Sequence, residues 1–285
     1  MSAKTRCIIF GASGKTGQIL CNRLPQDKYE IINVSRKANA TIHLPGRGYV
    51  ADLNNTDSFK DLIQANDIVI NLAHARYTTP ILECCPPSIK QLIVIGSTRH
   101  LTSFPDLAAK EVNHAQQQLE AWEGPWTMLH PTMIYGAVGE NNIQRMALFI
   151  KKFKMIPLPN KGRSLIQPIH VEDVVMAILL AMGKQPCMQK SILIAGPKAF
   201  TYKDFITKIA AASGSNCIVI SMSESLVQIL AFLTRWLPFL PSITSEEVQR
   251  LMEDKNIDTH QMTQLLSLIP RDFDKGLEEL FTSKK

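Results

Sequence analysis

Short runs of apolar residues alternate with amphipathic segments along the first two thirds of the chain. A continuous apolar run is typical of a parallel strand that helices cover on both faces. Runs of this kind predict strands at 7–10, 31–35, 49–52, 68–72, 92–96 and 126–130. The segments between them predict helices at 16–24, 57–63, 79–84 and 105–122. This alternation indicates βαβ units, and therefore an α/β fold with a doubly wound parallel sheet.

The pattern becomes less regular after Gly136. We expect a helix at 141–153, a loop at 156–162, a strand at 165–169, a helix at 171–182, a strand at 191–194 and a helix at 201–212. Residues after about 215 are expected to be mostly helical, with Pro238 and Pro241 as breakers. We therefore assign 1–136 and 165–195 to a nucleotide-binding domain, and 137–164 and 196–285 to a smaller, mostly helical part that carries the substrate or forms a lid.

A glycine-rich loop joins the first predicted strand to the first predicted helix. Its sequence is Gly11-Ala12-Ser13-Gly14-Lys15-Thr16-Gly17. In such a loop the first glycine permits a tight turn, the second lets a pyrophosphate approach the backbone, and the third lets helix and strand pack closely. The helix N-terminus adds N–H donors and a positive dipole. The loop therefore predicts a dinucleotide phosphate site, and we expect Lys15 to contact a phosphate.

The end of the second strand indicates which dinucleotide is bound. An acidic residue is expected there when a protein bonds the ribose 2′-hydroxyl of NAD. This chain has Ser35-Arg36-Lys37 instead. A guanidinium pairs well with a phosphate dianion, so these residues favour NADP(H) over NAD(H) as the cofactor.

Composition restricts the class of protein without choosing a ligand. The 285 residues are 45% hydrophobic and 20% charged, which excludes a disordered chain. The net charge of +6 fits an anionic ligand, a phosphate-rich partner or an acidic membrane surface equally well. The six cysteines form no C-x-x-C pair, so we expect no metal site. The first apolar stretch, 7–10, is too short for a signal-peptide core and no apolar run reaches membrane-spanning length, so we expect a reducing, cytoplasmic location.

Six sequence blocks resemble the short-chain dehydrogenase/reductase superfamily, in particular its extended and atypical branches, the NAD-dependent epimerase/dehydratase-like and NmrA-like proteins. The glycine loop is the first block. The others are Val50-Ala51-Asp52-Leu53, Asn71-Leu72-Ala73-His74, Ile95-Gly96-Ser97-Thr98, the run WTMLHPTMIYG at 126–136, and the segment 169–174. The resemblance implies a Rossmann-like fold and similarity over most of the chain.

The same resemblance implies roles for individual residues. Asp52 and the adjoining Leu53 would contact adenine, and Leu72, Ala73 and His74 would border the adenosine ribose. Ser97 would take the place of the family's catalytic Ser or Thr. Pro131 and Thr132 would lie beside the nicotinamide.

Two departures from the family pattern concern catalysis. Redox-active members use Y-x-x-x-K, in which Tyr is the acid/base. None of the five tyrosines here has Lys four residues later; the residues found there are Asn33, Leu53, Ile81, Gly139 and Ile206. The second departure is His130, where the block usually has Arg.

Few other residues are candidates for acid/base or anion-binding chemistry. Lys110 and His114 are i, i+4 neighbours on the predicted helix 105–122 and are either substitutes for the missing pair or solvent-facing residues. Arg99 and His100 follow the fifth strand, where ligands bind in open α/β sheets, and either hold an anionic group or serve the loop. Asp173 is expected to begin the helix at 171–182.

The most apolar stretch of the last third, 224–240, has a helical stripe of leucines and isoleucine widened by Phe232 and Trp236. It either packs on the core or forms a surface for a peripheral membrane contact or a partner subunit. A homodimer is common in the family, and no basic stripe with aromatics indicates a nucleic acid. Three functions remain. The first is an NADP(H)-dependent oxidoreductase or epimerase-like enzyme acting on a small molecule through Ser97, with His114, water or another group as acid/base. The second is a non-catalytic NADP(H)-binding sensor or assembly protein, and the third is a peripheral membrane enzyme, which rests only on the stretch 224–240.

Overall fold

Seven parallel strands form the central sheet of the computed structural model, which describes residues 4–139, 143–223, 226 and 249–282. The strands are β1 (Thr5–Phe10), β2 (Tyr29–Ser35), β3 (Arg47–Val50), β4 (Ile68–Asn71), β5 (Gln91–Ile95), β6 (Trp126–Pro131) and β11 (Lys190–Ile194). Their order is β11-β6-β5-β4-β1-β2-β3, and every pair is parallel. The chain winds outward from β1 to β3, returns to β4 and then winds the other way. The doubly wound, Rossmann-like fold is therefore confirmed.

Helices cover both faces of this sheet, which explains the continuous apolar runs in its strands. On one face, Cys7 and Ile9 of β1 belong to a buried core with residues of α1 (Lys15–Arg23), α5 (Val171–Ala181) and α7 (His260–Leu266). On the other face, Ile8 and Phe10 pack with residues of α2 (Thr78–Cys84) and α3 (Leu107–Glu120). Successive side chains of a strand point to opposite faces, so both sets must be apolar.

A smaller unit with its own core follows the sheet. It contains α4 (Ile143–Phe153), α6 (Tyr202–Ala212) and α8 (Phe273–Thr282). Three short strand pairs accompany them: β7 (Ile134–Tyr135) with β10 (Ile169–His170), β9 (Leu165–Ile166) with β12 (Phe200–Thr201), and β8 (Met155–Pro159) with β13 (Ile218–Met222). α7 packs on the core of the sheet, although the sequence analysis assigned its range, within 196–285, to the smaller part. The domain boundaries themselves stay a prediction.

Four local predictions were wrong. Residues 57–63 form only a short 3-10 turn at Thr56–Ser58, because the Ser58 hydroxyl bonds to the Asp52 backbone and Phe59 is held against Phe10, with ring centroids 5.4 Å apart. The predicted loop 156–162 contains β8, and β13 interrupts the region expected to be helical after 215. These two strands form because they pair with each other. Their first register partners, Met155 and Ile218, are 63 residues apart in the chain. The predicted strand 165–169 is split into β9 and β10.

The apolar stretch 224–240 lies outside the described residues, apart from Leu226. None of the helices in the described part of the chain has the length and apolar character that crossing a bilayer requires.

Candidate functional site

The glycine loop closes tightly over the junction of β1 and β4, which is where the winding of the sheet reverses. Gly11 has φ +80°, and a Cβ on it would lie 2.7 Å from Ala73 N. A Cβ on Gly17 would lie 2.4 Å from Gly11 O, so a side chain there would separate α1 from the loop. Both positions therefore require glycine for reasons internal to the fold.

Gly14 differs from the other two because it faces outward. It is exposed, and a Cβ on it would meet only Gly11 O, at 3.2 Å. Gly14 is also the N-cap of α1, and no side chain of the described ranges caps this helix. The first N–H groups of α1 are consequently available to an anion, which is the arrangement that binds pyrophosphate in α/β folds.

The remaining loop residues support this geometry. Ala12 is buried, and Ser13 accepts a 2.8 Å hydrogen bond at its carbonyl from Gln18 Nε2. Thr16 lies in the first turn of α1 and is partly exposed. Lys15 is exposed, and its Nζ lies 3.2 Å from the position that a Cβ on Gly139 would take. Lys15 thus lies between the loop and the segment that leads to α4.

A groove of about 270 Å³ extends from this loop across the ends of β2 and β4. Nine residues predicted to bind cofactor line it: Gly11, Ser13, Gly14, Ser35, Arg36, Asp52, Leu53, Leu72 and Ala73. The sequence analysis missed three others, Phe10, Val34 and Tyr77. Tyr77 is fixed by a 2.7 Å hydrogen bond from Arg76 and by the guanidinium over its ring. Tyr77 follows the end of β4 by six residues, and this position near the carboxyl end of a strand was the signal that the sequence offered.

The β2 end of the groove carries positive charge. Ser35 is buried and its hydroxyl donates to Lys37 O at 2.8 Å, which shapes the turn, while Arg36 and Lys37 are exposed. Asp52 faces the same region. Hydrogen bonds from the Asn54 N–H and side-chain amide, and then the charge of Arg36, hold the pKa of Asp52 below its usual range. The Asp52 carboxylate therefore offsets part of the positive charge of Arg36.

His74 is not among the residues that line the groove. Its Nδ1 accepts from Arg76 N at 3.3 Å and lies 3.5 Å from a carboxylate oxygen of Glu111 on α3. His74 thus caps the turn after β4, and its predicted contact with cofactor stays a prediction.

Histidines surround Ser97 at the end of β5. The Ser97 hydroxyl accepts from Arg99 N at 3.1 Å, and its carbonyl accepts from His100 Nδ1 at 2.7 Å. The His100 ring lies 4.1 Å from that of His130, centroid to centroid. His130 is fully buried, and its Nε2 lies 2.8 Å from the Ser191 hydroxyl.

His130 is uncharged at neutral pH. Burial first, and then the neighbouring His100, lower its pKa to about 3, although a hydrogen bond with the Ser97 backbone partly opposes them. The ring fills the space beside Gly96, where a Cβ would lie 2.6 Å from His130 Nδ1. The departure from the family's Arg is therefore a packed, neutral side chain that supports the Ser97 turn.

The carboxyl end of β6 adds the two residues expected beside the nicotinamide. Thr98 Oγ1 donates to Pro131 O at 3.3 Å, and Thr132 N donates to Ile194 O at 3.0 Å. Thr132 is buried, and its hydroxyl has no hydrogen-bond partner within the described ranges. The same is true of the buried Asn71 Nδ2 at the end of β4.

Lys110 and His114 lie on the solvent-exposed side of α3. The buried residues of α3 are Ala109, Val112, Ala115 and Leu119, which recur at helical spacing along one face. Lys110 and His114 are both exposed on another face. His114 stays a prediction as an acid/base.

A different residue occupies the start of α3. Asp106 stands four residues before Lys110, which is the Tyr-to-Lys spacing of Y-x-x-x-K. It caps α3 by accepting from Ala109 N at 2.9 Å, and it accepts a 2.5 Å bond from Arg250. Arg99 lies 3.5 Å away on the other side. Burial opposes ionisation of Asp106, but the Ala109 N–H and the two guanidiniums outweigh it and lower its pKa.

Arg250 belongs to a segment, 249–257, that we call the strap. It runs from the loop after β5 to the strands of the smaller unit. Glu253 accepts from Thr102 Oγ1 at 2.6 Å and from Ser103 N at 2.7 Å. At the other end, Asp254 and Lys255 bond to the Leu165 backbone, and Ile257 N donates to Gln167 Oε1 at 2.7 Å. The strap therefore ties the turn that contains Ser97 to the smaller unit.

The residues at the crevice fit a dinucleotide. Among the described residues, the loop offers an uncapped helix N-terminus and an exposed glycine, and the groove continues to a cation at β2. Polar atoms of Asn71 and Thr132 are buried at the strand ends and find no partner in the described part of the chain. A buried polar group without a partner costs about 1–3 kcal/mol, so such atoms are common where a ligand completes the hydrogen bonds.

Residues 7–80 match the model of the NAD-dependent epimerase/dehydratase family. The chain is 24% identical over 243 residues to the chloroplast stem-loop binding protein of 41 kDa b of Arabidopsis thaliana, a match that covers 75% of this chain and 64% of the relative. It is 20% identical over 282 residues to the mitochondrial NADH-ubiquinone oxidoreductase 40 kDa subunit of Neurospora crassa, covering 90% of this chain and 72% of that one.

Among solved structures, the fold is similar to that of UDP-glucuronic acid 4-epimerase from Bacillus cereus in complex with UDP-glucuronic acid and NAD. The TM-score is 0.71 at 14% identity, and the match covers 98% of each chain. The match at residues 7–80 and this likeness of fold confirm the resemblance inferred from the motifs.

Proposed function

We propose that this chain, whose fold and phosphate loop are those of the NAD-dependent epimerase/dehydratase type within the extended short-chain dehydrogenase/reductases, binds NADP(H) and carries out no tyrosine-dependent redox chemistry on it. The observation that carries the proposal is the Asp106–Arg250 ion pair at the position four residues before Lys110. A carboxylate with a lowered pKa that is held by a guanidinium cannot give a proton to a substrate at neutral pH.

The choice of NADP(H) rests on the end of β2. A 2′-phosphate placed at the groove beside Ser35 would meet Arg36, and Lys37 lies next to it. No Asp or Glu occurs between Ser35 and Thr41 to repel it. Asp52 lies close enough to Arg36 for their charges to interact, and it therefore weakens the attraction of Arg36 for a phosphate. The site is less cationic than the residues after β2 suggest.

The strap supports a binding role. Its bonds to Thr102, Ser103 and Asp106 hold the loop after β5 against the smaller unit. The relative from Neurospora crassa is named as a subunit of NADH-ubiquinone oxidoreductase. We propose a comparable role for this chain, in which the dinucleotide stabilises or reports a state of an assembly. Six free thiols fit the reducing, cytoplasmic location that we propose.

A second function is favoured by the turn at β5. The Ser97 hydroxyl accepts one hydrogen bond and keeps its proton, and two histidines lie beside it. An oxidoreductase or epimerase-like enzyme without tyrosine would use Ser97 to orient a small-molecule substrate, with His114, or a water molecule, as acid/base.

Titration with both cofactors tests the binding proposal. One charge-assisted hydrogen bond contributes about 1.5–3 kcal/mol, and exposure of Arg36 together with Asp52 favours the lower end. We therefore expect NADPH to bind about tenfold more tightly than NADH. Arg36→Ala should remove most of this preference and leave NADH unchanged. Arg47→Ala, an exposed Arg at the amino end of β3 and so away from the carboxyl ends of the strands, is the control. Equal affinities of the wild type for the two cofactors would exclude NADP(H) specificity.

Turnover is tested with NADPH, UDP-sugars and small carbonyls. We expect slow oxidation of NADPH at most, unchanged by Ser97→Ala or His114→Ala. Rapid turnover that is lost in either variant would establish the enzyme instead.

A further inference from the structure

The pair of strands β8 and β13 exposes apolar side chains on its outer face. Met155 is 50% exposed, and its register partner Ile218 is 66% exposed. Ile220, two residues further along, is 36% exposed, and Phe153 at the end of α4 is 42% exposed. These four residues lie together because β8 begins two residues after Phe153 and pairs with β13 from its first residue.

The fold itself directs these side chains outward. Ile156 and Leu158 of β8 are buried in the core of the smaller unit, with Val219 of β13 packed against it. Because side chains alternate along a strand, Met155, Ile218 and Ile220 must then point away from that core. The outer face of a half-buried sheet usually carries polar residues, so apolar residues there need a separate explanation.

Lysines border the same face. Lys151, Lys152 and Lys154 are all exposed, and Lys152 Nζ lies 5.2 Å from the centre of the Phe153 ring. Ile218 N donates to Lys154 O at 2.9 Å, which brings β13 beside the lysines. Between residues 141 and 171 the chain has six Lys or Arg residues and no Asp or Glu, and the stretch 205–223 also has no acidic residue. The electrostatic potential at this surface is therefore positive, because these two segments supply no carboxylate to neutralise the lysines.

We propose that this surface, formed by Phe153, Met155, Ile218 and Ile220 with Lys151, Lys152 and Lys154, docks on an anionic lipid bilayer. The apolar side chains enter the boundary between headgroups and acyl chains, and the ammonium groups pair with lipid phosphates and carboxylates. Long, flexible lysines around protruding apolar residues match a fluid anionic surface. The most apolar stretch of the last third of the chain, 224–240, begins two residues after β13 ends.

Vesicle sedimentation tests the proposal. The intact protein should bind phosphatidylcholine vesicles only when they contain phosphatidylserine, and added salt should weaken binding. Each lysine near an anionic leaflet strengthens binding about fivefold, so Lys151→Gln/Lys152→Gln/Lys154→Gln should weaken it about 100-fold. Met155→Ser/Ile218→Ser should weaken binding while keeping its salt dependence.

Matched variants make the result specific. Lys28→Gln/Lys90→Gln/Lys198→Gln removes three exposed lysines elsewhere, and Ile42→Ser/Ile269→Ser removes two exposed isoleucines. Both should bind vesicles like the wild type. The proposal is wrong if the wild type ignores phosphatidylserine, or if these controls weaken binding as much as the test variants.

Two further outcomes identify another occupant of the surface. If Met155→Ser/Ile218→Ser lowers the melting temperature by several degrees without vesicles, the chain itself covers the surface. If soluble polyglutamate competes fully and the serine variants bind like wild type, the partner is an acidic protein. NADPH affinity should stay unchanged in all these variants, so failure here is independent of the cofactor site.

Discussion

Removal of the Arg250 guanidinium should loosen the strap and destabilise the protein. Arg250→Met keeps most of the aliphatic side chain and deletes the bond to Asp106. The Arg250 side chain is 9% exposed and that of Asp106 is 25% exposed, so the pair is shielded from solvent but not fully buried. Loss of one partner of a buried pair costs about 3–5 kcal/mol, because a charge is left without compensation.

The expected cost here is smaller. Asp106 keeps the Ala109 N–H and has Arg99 at 3.5 Å, so its charge remains partly compensated. We expect a loss of about 2 kcal/mol in the free energy of unfolding, close to the contribution of one hydrogen bond between charged groups. For a domain of this size, that corresponds to a decrease in melting temperature of about 5 °C.

Urea unfolding and thermal melts at pH 7 measure this cost. Asp106→Asn is the matched variant, because Asn still caps a helix while the charge is lost. In a double-mutant cycle the two substitutions should show a coupling of more than about 1 kcal/mol. Hydrogen exchange should speed up at 249–257 in Arg250→Met.

The pH dependence has a defined sign. The pKa of Asp106 is lowered in the folded protein, so the pair stabilises the fold above the ordinary Asp pKa and this contribution is lost as pH falls through the lowered value. The stabilities of wild type and Arg250→Met should therefore begin to converge below about pH 4, the ordinary Asp pKa, and become equal once the pH is below the lowered pKa of Asp106. If the full difference in unfolding free energy between wild type and Arg250→Met persisted in acid, the ion pair would not be what holds the strap. A coupling energy of zero between the two substitutions at pH 7 would refute the reasoning in the same way.

Three other predictions follow from the crevice. Gly14→Val should abolish NADPH binding by calorimetry and leave the far-UV spectrum unchanged, since its Cβ meets only Gly11 O; retained affinity would contradict the phosphate role. The His130 ring signals should not titrate by NMR above about pH 4, because its pKa is about 3; a midpoint near 6.5 would show that the ring is hydrated. Replacement of any one tyrosine by Phe should leave the slow NADPH oxidation unchanged, and a variant that abolishes it would reveal a tyrosine acid.

The sequence by itself determined the sheet and the phosphate loop. Strands buried on two faces must be apolar throughout, so β1, β4, β5 and β6 were visible as runs. Gly11, Gly14 and Gly17 were visible because their roles depend on neighbours within the same turn. The lack of Y-x-x-x-K and the cations after β2 are likewise properties of a few adjacent residues.

Tertiary structure decided what depends on residues far apart in the chain. β8 and β13 exist as strands because they pair with each other, and an isolated short strand has no hydrogen-bonding partner. The segment 57–63 has the composition of a helix but follows the contact of Phe59 with Phe10. The same cause governs the site. Asp106 and Arg250 are 144 residues apart, and no local pattern records that they meet. Docking of distant segments alone determines the neutral state of His130, the position of the strap and the exposed face beside Lys151–Lys154.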